Sequence, residues 1–133
     1  MNLKLIFRIF GGLNMLTGAF ALFATKAMLG SAGLTVTSEL ITVGQGFAIA
    51  AIALGLVSWR TADIAGKSLY AYGKLFGIVQ SLQILLIVYH LITGQAGGPP
   101  VYINLVVGIV LVALFYSYSQ HEDNSVMISD EEE

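Results

Sequence analysis

Cysteine is absent from the 133 residues. Its absence excludes a disulfide framework, thiolate metal sites and the thiol relays of membrane disulfide-forming enzymes. Charge is scarce as well. Asp, Glu, Lys and Arg make up 11% of the chain, against about 25% in an ordinary soluble domain, so water is not the solvent for most of it. The six cations sit at the edges of apolar runs, which leaves no basic field for nucleic acid. Proline occurs twice, side by side at Pro99 and Pro100, so long apolar stretches go unbroken elsewhere. What fills the chain is hydrocarbon: 56% of residues are hydrophobic and mean hydropathy is +0.82.

A helix needs about 20 apolar residues to cross about 30 Å of bilayer core. Four segments reach that length, roughly 5–23, 40–59, 69–92 and 101–118. The fold class expected is all-α, a polytopic up-down bundle of four transmembrane helices within residues 1–119. The gaps carry punctuation: Gly30, Gly33 and a Thr/Ser cluster in 24–39, charge in 60–68, and TGQAGGPP in 93–100. Gaps this short make consecutive helices antiparallel neighbours. Residues 120–133 hold six of the eight acids and no Lys or Arg, which predicts a disordered cytoplasmic tail, either a docking segment or simply a solvated end.

Orientation follows the cations. Lys4, Arg8, Arg60, Lys67 and Lys74 would share one side of the membrane and Lys26 the other, so both termini are expected in the cytoplasm. Trp59, Tyr70, Tyr72, Tyr116 and Tyr118 would form the inner aromatic belt, Tyr89 and Tyr102 the outer one. Arg8 lies about a turn inside its span and can snorkel to the headgroups. A cleavable signal peptide over the first span is the weaker alternative, because Arg8 and Asn14 interrupt the apolar run.

Steps of three and four residues pick out one small and polar stripe per helix. Gly11, Asn14 and Gly18 share the first, and Gln45, Ala48 and Gly55 the second. The third carries Gly73, Gly77, Gln80, Gln83 and His90, and the fourth Asn104 and Gly108. Small residues let helices approach in lipid, where no hydrophobic drive exists between them, and carboxamides hydrogen-bond across the contact. The glycines and Ala48 are therefore candidate packing residues. Asn14, Gln45, Gln80, Gln83, His90 and Asn104 either pack helices or line a polar pocket. The Gly73–Gly77 pair could face a neighbour helix or a sister subunit.

Several chemistries lack their residues. His90 has no second histidine on its side of the membrane, so a bis-histidine haem within one chain is not expected, and no Cys, Asp or Glu accompanies it for zinc. No metal and no cofactor are predicted. No Asp or Glu falls inside a span, which argues against proton-coupled transport. In length and span count the chain is similar to small multidrug exporters, but Asn14 stands in the span where they carry their carboxylate.

RIFGGLNMLTGAF in the first helix and GGPPVYINLVVGIVLVALF leading into the last resemble small bacterial four-helix membrane proteins of the DoxX-like kind, over about residues 5–118. The resemblance implies a bacterial inner membrane and service to a redox or envelope system, without catalysis by this chain and without functional residues to carry over. The function expected is thus a non-enzymatic accessory or self-associating membrane component, with the bilayer and a homo-oligomer or membrane-protein partner as its contacts. The alternatives are a minimal oligomeric transporter or channel for a neutral or weakly polar solute and, last, a quinone- or lipid-handling redox component.

Overall fold

The computed structural model describes residues 2–131, with side chains for residues 2–120. It is all-α: α1 (Leu3–Phe23), α2 (Thr25–Ser31), α3 (Ser38–Ile64), a 3-10 turn (Gly66–Ser68), α4 (Leu69–Ile92) and α5 (Pro99–Glu131). Four helices are long and apolar enough to cross a membrane, α1, α3, the Gly66–Ile92 segment and α5 through Gln120. In three of them only 17% of the most apolar stretch is buried within the bundle. The remaining apolar surface requires hydrocarbon around it. The chain is a four-helix membrane bundle.

Local chemistry sets the helix limits. The Asn2 side chain accepts from the Leu5 amide at 3.0 Å and Thr37 from Leu40 at 3.2 Å, each capping a helix start. α3 runs five residues past Trp59, through a segment expected to be a charged loop, because nothing in RTADI breaks a helix. Gly66, at φ +53°, then takes the left-handed conformation that ends it. The first gap is likewise not all loop. α2 forms there, with Thr25 Oγ1 turned back onto Ala21 O at 2.6 Å and its face laid over Gly44 of α3. At the far end of the sequence α5 keeps a helical backbone to Glu131. No Gly or Pro lies beyond Gly108 to stop it. The expectation of disorder for 120–133 falls on residues whose side chains, from 121 onward, lie outside the described set.

The helices pair by sequence neighbourhood. α1 packs antiparallel on α3 and α4 antiparallel on α5, and the two hairpins join through α1. Within the first hairpin the backbones nearly touch. A methyl group added at Gly11 would sit 2.7 Å from Gly55 O, one at Gly55 2.6 Å from Gly11 O, and one at Gly18 2.7 Å from Ala48 O. Both sets are seven residues apart, Gly11 with Gly18 and Ala48 with Gly55, so two turns of each helix present the same small face. Buried Ser58 fastens the contact by donating from Oγ to Phe7 O at 2.8 Å. In the second hairpin Gly73 receives the Ser119 hydroxyl, Gly77 the Tyr116 ring, and Gly108 the Gln80 amide and Ile84. The Gly73–Gly77 pair therefore faces α5 of its own chain.

Four phenylalanines hold the hairpins together. Phe7 meets Phe76 at 5.0 Å and Phe115 at 5.1 Å between ring centroids, and Phe10 meets the same two at 5.6 Å, all edge to face. Leu3, Ile6, Ala62, Leu69 and Leu111 complete this core. It occupies the end of the bundle where α1 begins. At the opposite end the connection is slighter: the Gly97 amide donates to Ala32 O at 3.0 Å, and Gly98, at φ +84°, lies against Ser31 O.

Candidate functional site

Further along α1 and α4 the helical phase of the phenylalanines carries polar residues. Asn14 and Thr17 follow Phe10 by four and seven residues, and Gln83 and His90 follow Phe76 by seven and fourteen. They continue the faces that the aromatic rings define. All four are half-buried. Asn14 Nδ2 donates to Phe10 O at 2.9 Å within its own helix. Among the described side chains no hydrogen bond joins any two of the six polar residues singled out from the sequence, so they do not form the interhelical amide network that would lock the bundle.

The six disperse. Gln80 is buried, 6% exposed, with its amide against Gly108. Asn14, Gln83 and His90 are half-buried, in phase with the phenylalanines that join the hairpins. Gln45 and Asn104 are exposed. For Gln45 the cause is helical phase. The buried face of α3 is Ala48, Ala51, Gly55, Ser58 and Ala62, which extrapolates back to Gly44, and one residue further on turns the side chain by about 100°. Asn104 does share the face of Gly108, Leu111 and Phe115. It lies one turn past the last close approach, Gly108 against Gln80 and Ile84, and nothing covers it. The packing candidates Gly11, Gly18, Ala48, Gly55, Gly73, Gly77 and Gly108 are all buried.

Charge gathers where α1 begins. Arg8 donates to Asp63 Oδ1 at 2.9 Å, and Arg60 approaches Asp63 Oδ2 at 4.0 Å. Among the described side chains one carboxylate thus faces two guanidiniums, leaving an excess positive charge there, with Lys4 one turn before Arg8. The lysine ammonium of Lys74 stands 5.4 Å from the centre of the Tyr70 ring. A charged loop over 60–68 hides Asp63 as a partner. Its clue is register: Gly11 opposite Gly55 brings Arg8 to the last turns of α3. The phenylalanine cluster was also missed, although Phe7 and Phe10 share a face with Leu3 and Asn14. Among the described residues no three of His, Cys, Asp and Glu gather as a metal cluster would require.

Two shallow surface depressions lie elsewhere, and neither contains a residue of the six. One is apolar, on α5 at Tyr102, Ile103, Val106 and Val107. The other is polar, at Asn2, Lys4, Leu5 and Arg8. Comparison of the chain with family models, with curated proteins and with solved structures finds no match.

Proposed function

We propose that the protein is a non-enzymatic membrane component that works by self-association, with α3 as the contact helix. One observation carries the reading: Gln45 presents its carboxamide on the outer surface of a membrane helix, where hydrocarbon offers no hydrogen bond. Seven residues into α3, it lies about 10 Å below the helix start. An unsatisfied amide in lipid is costly. Thr42, Gly46 and Ala53 lie on the adjoining face, all exposed, and a methyl group at Gly46 would meet nothing within 4 Å. A carboxamide both donates and accepts, so a second copy related by a twofold axis supplies its complement. On this reading both termini face the cytoplasm of a bacterial cell, supported by the five cations at the end where α1 begins, and the DoxX-like resemblance supports service to a redox or envelope system.

The test is energy transfer between donor- and acceptor-labelled copies in vesicles, across a dilution series in lipid. Wild type is expected to associate, and Gln45→Leu to weaken association about threefold or more, as one interhelical amide contact of about 0.6 to 1.7 kcal/mol implies. Unchanged association in Gln45→Leu, or a wild type that stays monomeric throughout, overturns the reading.

A second reading has its own support in the polar residues that continue the phenylalanine faces. Half-buried Asn14, Thr17, Gln83 and His90, unbonded to one another, suit a minimal pathway for a neutral or weakly polar solute. Solute flux through vesicles containing only the purified protein would favour this reading over the first.

A further inference from the structure

We infer that the start of α1 is a binding site for an anionic phospholipid, with the phosphate between Lys4 and Arg8 and an acyl chain along the outer face of the same helix. The polar depression is formed by Asn2, Lys4, Leu5 and Arg8. Lys4 and Arg8 are four residues apart and so stand one above the other. Lys4 has no ion pair among the described residues. Arg8 is held in place by Asp63 through one nitrogen, Nη2, and its side chain remains 47% exposed. A guanidinium carries five donors, so the pair with Asp63 orients Arg8 without exhausting it. Asp63 also faces Arg60, and one carboxylate cannot neutralise two guanidiniums and the lysine beside them. A phosphodiester supplies the missing negative charge.

The ligand chemistry is narrowed by what flanks the cations on the same helix. Leu5, Ile9 and Leu13 are 44%, 40% and 39% exposed and follow one another at steps of four, with Leu16 at 70% next. This apolar ridge begins at the depression and descends the helix towards mid-membrane. A free phosphate would use the cations and ignore the ridge; a phospholipid uses both. Depth agrees. α1 has 21 residues, about 31 Å at 1.5 Å each, which matches the hydrocarbon thickness and sets Lys4 at the headgroup level. The site stands apart from the α3 contact face and does not depend on it.

Native mass spectrometry of the full chain in a non-ionic detergent, titrated with phosphatidylglycerol or phosphatidylcholine, tests the inference. Phosphatidylglycerol is expected to bind at least fivefold more tightly, and Lys4→Gln to remove about fivefold of that preference, the contribution of one interfacial cation. Lys26→Gln, at the opposite end, should leave the titration unchanged. Circular dichroism on each variant verifies that the helices are intact, which the exposure of both lysines makes the expected result. Equal binding of the two lipids, or an unaltered preference in Lys4→Gln, overturns the site. Displacement of phosphatidylglycerol by equimolar inorganic phosphate overturns the acyl track and leaves only an anion site.

Discussion

Gly11→Leu is expected to separate α1 from α3 and to cost about 3 kcal/mol, the upper end of the range for overpacking a close contact. The severity comes from what the new atoms would strike. The nearest neighbour of a methyl group at Gly11 is Gly55 O at 2.7 Å, followed by Trp59 N at 3.1 Å. Both are backbone, and backbone in the middle of a helix cannot rotate aside as the tip of a side chain can. The converse substitution, Gly55→Leu, meets Gly11 O and Met15 N and should behave alike. Gly30→Ala is the control: nothing lies within 4 Å of the added atom, and the better helix former should leave stability unchanged or slightly raised. The chain has a single tryptophan, and Trp59 lies against Gly11 and Gly12. Its emission during denaturation in mixed micelles therefore reports this contact directly. A Gly11→Leu protein that unfolds at the wild-type midpoint would contradict the close approach of the two backbones.

Phe7→Ala should have the next largest effect, about 2–3 kcal/mol, but of another kind. Phe7 makes edge-to-face contacts with Phe76 and Phe115, each worth about 0.5–1.5 kcal/mol beyond area, and its removal leaves a void between helices. In a water-soluble protein the lost transfer energy would raise the total to about 3–5 kcal/mol. In lipid that term largely vanishes, because the separated helices remain in hydrocarbon. The damage should fall between hairpins rather than within them. The cysteine-free chain allows spin labels to be attached cleanly. Labels at Leu16→Cys and Leu82→Cys, one on each hairpin and both exposed, should show a broadened distance distribution in Phe7→Ala. Labels at Leu13→Cys and Val57→Cys, both within the first hairpin, should not. Equal broadening of both pairs would mean that the hairpins are not separate units.

The four spans were legible because length and hydropathy are properties of one segment at a time. The fourth helix of the folded order, Leu69–Ile92, has the bounds its apolar run suggested. The small-residue faces were legible for the same reason: seven-residue spacing of Gly11 with Gly18 and of Ala48 with Gly55 is visible within each helix. The phenylalanines were not. Of seven in the chain, four form the core, while Phe20, Phe23 and Phe47 are 57%, 88% and 54% exposed. A solvent as apolar as the core does not sort them, so composition carries no sign of which side a ring takes. Helical phase limits the amides in a related way. The stripe on α3 is fixed by Ala48 and Gly55, and Gln45 misses it by one residue. α2 was hidden because seven residues ending in Gly–Ser have little helical tendency of their own; contact with Gly44 of α3 gives the segment something to fold against.

Close pairing of neighbours in sequence has a consequence for how the molecule is made. A translocation channel that releases helices in order would always deliver next the complement of the one just released: α3 after α1, α5 after α4. No bare glycine face has to wait in the bilayer for a distant segment, and few strangers can occupy it first. The short junction of residues 65–68 contributes continuity more than cohesion. Two polypeptides divided there should still mate through their aromatic rings, as halves of one molecule born separately.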